Sequence, residues 1–287
     1  MAIFKNTIID DTGYLQLPSG TTAQRPGSPS AGYMRWNTSE NHVEIYDGSS
    51  WIELAYTAGL QGTYSNPGTS AQSIYNSGQT ASGLYYVTNP NINNGTPFQV
   101  YCDMTTDGGG WMLIVQNASI GGATKMNYTN YSLLNQTAPP DASSRATVDR
   151  SYSILAWADY FKSTNQTFEY MLEAVDRGQW GGIWTANNPA YTFNQTSNSA
   201  TNITLTTKFS SWNYDNDSIE ARMPWVDTAA TTNGKLTTSV ASNSSWWGTI
   251  IEASSSFTPA PWISTNRSGV SGTDNPGVIW YWMRSLL

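Results

Sequence analysis

The run KFSSWNYDNDSIEA, residues 208–221, sets two carboxylates, Asp215 and Asp217, two positions apart among turn-forming residues. Carboxylates at that spacing in a loop can converge on one hard cation, which takes oxygen ligands at about 2.3–2.6 Å. The same Asp-Asn-Asp triplet also suits an Asx turn, in which the side chains bond their own backbone. Loop tryptophans offer a second kind of chemistry. Trp246 and Trp247 follow a Ser/Asn-rich stretch, and Trp262 lies in TPAPWIST, where flanking prolines limit loop entropy. A rigid aromatic face packs on the apolar C–H face of a sugar ring while nearby amides and hydroxyls bond its hydroxyl groups. Ordinary packing is the competing use of each tryptophan.

Catalytic sets are harder to assemble. His42 is the only histidine, and it falls in a strand-like N-terminal run expected to face solvent, so it completes neither a Ser-His-Asp nor a Cys-His constellation. Gly108 to Gly110 lead into Trp111 and a strand-like run, without the Lys-Ser/Thr pair that opens a phosphate-binding helix. A glycosidase needs only two carboxylates. Glu169, Glu173, Asp176, Glu220 and Glu252 are available, yet no feature of the sequence pairs them. The expectation is a protein that is not an enzyme.

The elements that must carry these residues are built from an unusual composition. Charged residues make up only 11% of the chain, against a typical ~25%, and thirteen tryptophans are spread along it. A net charge of −7 without clustered Lys and Arg argues against nucleic acid as a partner. No run approaches the roughly 20 apolar residues of a spanning helix, and MAIFKNTIIDDTG lacks the charged and apolar regions of a secretion signal, so synthesis in a cytoplasm without membrane insertion is expected. One cysteine leaves no internal disulfide, in keeping with a reducing compartment. The sequons at Asn117, Asn127, Asn130 and Asn165 are read as by-products of Asn/Ser/Thr richness.

The chain divides near residue 60. Before it, GYMRWN, HVEIYD and WIEL are predicted strands joined by TSEN and DGSS, a small β-meander too short to bury a sufficient core alone. It needs a partner surface, most economically its own copies. The pattern G-T-T-A-Q-R-P-x-x-P-x-x-G-x-x-R-x-N followed by E-x-Y-x-G-x-x-W, from Gly20 through Arg25, Arg35, Asn37 and Glu44 to Trp51, resembles a segment of tail fibres and other appendage proteins of tailed bacteriophages. The resemblance implies a virion part, commonly trimeric, that joins other virion proteins through residues 1–60.

Residues 61–287 carry a second resemblance. Ile74 to Gly78, Ser82 to Tyr86 and the run PFQVYCDMTTDGGGW from Pro97 to Trp111 look like the opening of a fibrinogen-like domain, as in ficolins and intelectins. In that family the cysteine of this strand pairs with one at the position of Ala71, so Cys102 is expected to be a buried small hydrophobe without a bridge. FEYMLEAVDRGQWGGIW resembles the family's central strand pair, SYSILAWADYFKST has helix-like spacing through Ile154, Leu155, Ala158 and Phe161, and NPGVIWYWMRS reads as a central strand with its aromatics in the core. The 208–221 run is similar to the family's calcium loop. By that resemblance Asp215 and Asp217 supply side chains and Ile219 and Ala221 supply carbonyls, with departures at Asn213 and Ala221. Trp246 and Trp247 match a pair that lies close to the family's recognition pocket.

The sequence therefore predicts a mostly β, α+β protein: a meander over 1–60 and a fibrinogen-like domain over 61–287. The expected role is a bacteriophage virion protein, a homotrimeric tail fibre or appendage that binds a host-surface glycan or receptor with calcium. A capsid head fibre or decoration protein shares these features, and a depolymerising tailspike is the third alternative.

Overall fold

In a computed structural model the described residues are 16–54, 60–163, 165–210, 219–230, 234–240, 248–252 and 277–286. They form two compact units that divide between Ala58 and Gly59. Among the described residues no helix is long and apolar enough to cross a membrane.

The first unit is a four-stranded sheet in chain order, β1 (Ser19–Gly20), β2 (Met34–Asn37), β3 (His42–Tyr46) and β4 (Trp51–Glu53). β1 runs parallel to β2 and the other pairs are antiparallel. The predicted strands are present with shorter ends, and His42 is half-buried in β3 instead of facing solvent freely. Asp47 shapes the DGSS turn by accepting from the N–H groups of Ser49 and Ser50 at 2.7 and 2.8 Å. The residues of the GTTAQRP pattern meet at one carboxylate. Glu44 receives Arg25 Nη2 at 2.6 Å and Asn37 Nδ2 at 3.0 Å, with Arg35 Nε 3.5 Å away. A Cβ at Gly20 would stand 2.7 Å from Arg35 Nη2 and 2.9 Å from Gln24 Oε1, so the ends of both side chains would shift to admit one.

The second unit is built on an eight-stranded antiparallel sheet. Its strands are β5 (Gly83–Val87), β6 (Phe98–Asp103), β7 (Trp111–Ala118), β8 (Tyr152–Ser153), β9 (Phe168–Ala174), β10 (Gly181–Ala186), β11 (Ile203–Phe209) and β15 (Val278–Ser285). The order is β11-β10-β9-β15-β7-β6-β5, with β8 also on β7. The last strand thus lies in the middle of the sheet, and Trp280, Tyr281, Trp282 and Met283 are all buried. That alternation of aromatics is core, and Trp280 Nε1 donates to Gln116 Oε1 at 2.7 Å. Cys102 is buried in β6 opposite Gly83 and Met112, and burial pushes its thiol pKa up.

Two arginines fix the turn between β6 and β7. Asp103 Oδ1 accepts from the N–H groups of Thr105 and Thr106 at 2.8 and 3.0 Å, and Asp103 also takes the Arg177 guanidinium. Arg284 reaches the other end, donating to the Asp107 and Gly109 carbonyls while lying 4.2 Å from the Trp111 ring centre. A Cβ at Gly109 would meet the Met104 carbonyl at 2.5 Å, so the reversal requires glycine there.

The helical reading of 151–164 holds only for α2 (Leu155–Ala158), the helix that follows α1 (Ala71–Asn76) in the chain, and for a 3₁₀ turn at Asp159–Phe161. Tyr152 and Ser153 instead pair with Gln116 and Val115 of β7. Sheet pairing satisfies their backbone inside the core, and the helix-like apolar spacing begins after them at Ile154.

Glu44 generates the first prediction. Hydrogen bonding from Arg25, then from Asn37, holds its carboxyl below the usual range against the opposing effect of burial. Its stabilising contribution is therefore present above the unfolded carboxylate pKa and is lost as pH falls through the lowered folded value. Hydrogen exchange of residues 34–46 should show protection falling at least about tenfold in Glu44→Gln at pH 7, and falling in the wild type on acidification. Unchanged protection in the variant would contradict the role given to this carboxylate.

Candidate functional site

A second, three-stranded sheet carries the chain toward the segments that the sequence singles out. It consists of β12 (Trp225–Val226), β13 (Gly234–Thr237) and β14 (Ile251–Glu252), in that order. The sheet is closed by side chains as well as by its ladder: Trp225 Nε1 donates to the Ser239 carbonyl at 2.8 Å, and Lys235 Nζ to that of Asp227 at 2.8 Å. Buried Asn117 of β7 holds it to the main sheet, donating to the Ile250 carbonyl at 2.7 Å and accepting from Met126 N–H at 2.8 Å. On the other side, Val226 N–H donates to the Gln195 carbonyl at 2.7 Å.

Of the residues expected to bind metal or ligand, Asp215, Asp217, Trp246, Trp247 and Trp262 lie outside the described residues. Ile219 and Ala221 are described. Ile219 is 2% exposed and Ala221 is half-buried. Ile219 lines a small concavity with Leu172, Ala174, Trp180, Ile250 and Ile279, and Gly248 closes it. A Cβ on Gly248 would stand 3.0 Å from Ile219 Cβ and 2.4 Å from Thr238 Oγ1. The first described residue after the 211–218 stretch therefore touches the first described residue after Trp246 and Trp247.

Sequence reasoning does not single out Trp180 or Gly248. The signal for Trp180 is a tryptophan that ends a tight hairpin before Gly181 and Gly182. This hairpin is strained, because Val175 and Trp180 both have positive φ, 73° and 48°, and a β-branched residue rarely adopts it. Arg145 Nη1 donates to the Val175 carbonyl at 2.6 Å, and Glu173 Oε1 accepts from Gly178 N–H at 2.6 Å. Within the hairpin Arg177 binds Glu173 Oε2 at 2.7 Å and the Ala142 carbonyl at 2.7 Å, and its guanidinium lies 4.5 Å from the Trp282 ring centre.

Three of the five acidic residues weighed for a glycosidase are engaged elsewhere. Glu169 pairs with Arg284 at 2.5 Å and Glu173 with Arg177, while Asp176 Oδ1 accepts from Arg177 N–H at 2.8 Å. Glu252 is fully buried in β14 with no hydrogen bond to either oxygen among the described residues, and burial pushes its carboxyl up to about 7 against the attraction of Lys125. Glu220 is exposed. A separate polar groove of about 440 Å³ lies beside Arg177, where Ser82, Thr105 and Thr106 already bond Asp103.

Comparison with known proteins places part of this unit. Residues 67–133 match the family model described as fibrinogen beta and gamma chains, C-terminal globular domain. The matched segment contains α1, β5, β6, the glycine turn and β7. It includes the three opening motifs, whereas the 208–221 run and Trp246–Trp247 lie outside it. The second unit, mostly β with few helices, thus opens with a fibrinogen C-terminal-like segment. Among solved structures, the chain is similar to the fibrinogen-like globe domain of human ANGPTL6 at 13% identity and TM-score 0.38, covering 77% of this chain and 97% of that one. The corresponding domain of human ANGPTL2 gives 12% identity and TM-score 0.36, covering 76% and 99%. A lamprey fibrin D-dimer, complexed with the peptide ligand Gly-His-Arg-Pro-amide, gives 18% identity and TM-score 0.27 over 50% and 40%. No curated protein sequence matches.

Gly248 and Gly122 have the same φ, +85°, but a Cβ at Gly122 would meet nothing within 4 Å. Gly248→Ala should therefore lower stability by about 1–3 kcal/mol more than Gly122→Ala, read as a difference of several degrees between their melting temperatures. Equal melting temperatures would contradict the contact among Gly248, Ile219 and Thr238.

Proposed function

We propose that this chain is a bacteriophage virion protein, a tail fibre or related appendage, whose second unit binds a host-surface glycan or receptor without turning it over. The observation that carries the reading is the contact of Gly248 with Ile219. It joins the flank of the aspartate stretch to the flank of the tryptophan pair, although 28 residues separate them in the chain.

In this reading Asp215 and Asp217 hold a calcium ion with their carboxylates, and Ile219 and Ala221 contribute carbonyl oxygens. The donor set is entirely oxygen, which fits a hard divalent ion, and burial of the Ile219 side chain fixes the backbone beside it. Bound calcium would order the loop that presents the ligand. Trp246, Trp247 and Trp262 supply aromatic faces for a sugar ring. Residues 1–60 attach to other virion proteins and join three copies, so that several weak sites act together. The virion role is supported by the Gly20–Trp51 pattern, whose residues assemble around Glu44.

The test is binding of fluorescently labelled full-length protein to a panel of candidate bacterial hosts, in calcium and in EDTA, beside Asp215→Ala/Asp217→Ala. Saturable binding that falls at least about tenfold in EDTA and in the double variant is expected. Binding indifferent to both would remove the calcium site, and no binding to any host would overturn the adhesin in favour of a structural appendage.

A further inference from the structure

The polar groove of about 440 Å³ beside Arg177 shares no lining residue with the concavity under Gly248. Its size falls in the range of pockets that hold small ligands. Five hydroxyl groups line it, those of Ser82, Tyr101, Thr105, Thr106 and Ser143, together with the Arg177 guanidinium and the Asp103 carboxylate.

The hydrogen bonds of that wall leave donors and acceptors in different places. Asp103 is 2% exposed and, as a carboxylate, only accepts. Ser82 Oγ donates to its Oδ1 at 3.2 Å, Thr105 Oγ1 to the same oxygen at 2.9 Å and Thr106 Oγ1 to Oδ2 at 2.5 Å. A hydroxyl has a single hydrogen and two lone pairs, so these groups have no hydrogen left and can meet a ligand only as acceptors. Ser82 keeps one lone pair, because the other takes the Met104 N–H at 3.0 Å. Arg177 supplies the complement. Its Nε–H is bonded to Glu173, one Nη1–H to the Ala142 carbonyl and one Nη2–H to Asp103, which leaves one N–H on each terminal nitrogen without a partner among the described residues. Tyr101 brings its hydroxyl beside the Ser143 side chain, and either of those groups can donate or accept.

Charge narrows the ligand further. The Arg177 cation is already paired with Asp103 and Glu173, and Asp141 stands close enough to act on Tyr101, so an anion finds no unpaired cation. A cation meets the guanidinium, and the Asp103 oxygens that would attract it are taken by Ser82, Thr105, Thr106 and Arg177. A neutral molecule carrying several hydroxyl groups suits both halves of the wall, since each hydroxyl donates and accepts. Because Asp103 holds the three acceptor hydroxyls in place before any ligand arrives, little side-chain freedom is lost on binding. We propose that this groove is a second binding site of the chain and that it takes a neutral saccharide unit, whose hydroxyl groups donate to Ser82, Thr105 and Thr106 and accept from Arg177. The site needs neither calcium nor the loop tryptophans.

Titration of the full chain with neutral methyl pyranosides of glucose, galactose, mannose and N-acetylglucosamine, followed by NMR, tests this. At least one should bind saturably, with a Kd of about 1 mM, and move the Thr105 and Thr106 N–H resonances of the native chain as it does so. Ser143→Tyr, a change at an exposed position that fills the groove, should raise that Kd at least about tenfold, and Thr105→Val, which removes one acceptor at nearly constant shape, about fivefold. EDTA and Asp215→Ala/Asp217→Ala should leave it unchanged, and the methyl glucuronide and glucosamine counterparts should bind more weakly. No saturable binding by any of the four, binding that leaves the Thr105 and Thr106 resonances in place, or tighter binding of a charged counterpart would each overturn the inference. The native-chain resonances decide the matter even if a variant fails to fold. Host-cell binding on the same samples separates the two readings: its loss in Asp215→Ala/Asp217→Ala while the Thr105 and Thr106 shifts persist supports the groove as a site distinct from the calcium-organised edge, and loss of those shifts in the same variant would overturn that distinction.

Discussion

The second unit depends on one desolvated cation. Arg177 sits in the hairpin between β9 and β10, and its guanidinium reaches Asp103 at the end of β6, Glu173 on β9 and the Ala142 carbonyl, with the Trp282 ring of β15 beneath it. A charge taken from water at this depth is tolerable only when its hydrogen-bonding capacity is met. Each partner is committed in turn. Asp103 orders the turn into β7, and although burial opposes its ionisation, hydrogen bonds from Thr106 and the neighbouring Arg177 hold its carboxyl well below the usual range. For Glu173 burial prevails over the same cation and pushes the carboxyl up. The strained residues Val175 and Trp180 are thus supported by contacts that cross the sheet, and Trp180 is where that support meets the concavity under Gly248.

The described residues of the two units are buried in different ways. The second fills its interior with aromatics from adjacent strands: Tyr170 stacks on Trp184 at 5.3 Å, and Tyr281 packs edge-on to Tyr170 at 6.0 Å. The first gathers Arg25, Arg35 and Asn37 around Glu44. An aromatic core suits a rigid platform for recognition. The small β12–β14 sheet is tied to that core by the Asn117 side chain, which donates to the Ile250 carbonyl.

Much of the strand layout was legible in the sequence, since alternation and turn chemistry act locally. MRWN, HVEIY and the return strand after the three glycines follow from period-two patterning and from residues that tolerate positive φ. The apolar character of VIWYWM on both faces identified a central strand. Where the reading failed, the deciding partner was distant. Tyr152 and Ser153 stand just before the helix-like spacing that starts at Ile154, and their pairing with β7 is invisible locally. Tyr101 is buried although it alternates along β6 with Phe98, Val100 and Cys102, which are buried as well, because both faces of that strand are covered. Arg177 resembles an ordinary solvent-exposed turn arginine, as nothing nearby reveals a partner 74 residues earlier in the chain. In the meander, strand positions were readable but the choice of covered face was not, because it depends on how residues 18–25 cross the sheet. At the candidate site the chemistry came from residue types, and the meeting of Ile219 with Gly248 came only from the fold.

The central claim is that the aspartate stretch and the tryptophan pair form one cation-organised recognition edge. An anomalous difference map from crystals of the full chain grown in calcium tests it most directly. The account predicts a single peak with the Asp215 and Asp217 carboxylates and the Ile219 and Ala221 carbonyl oxygens at about 2.3–2.6 Å, beside Trp246 and Trp247. A map without that peak, in which the four donors point apart or the tryptophans pack elsewhere, would contradict it.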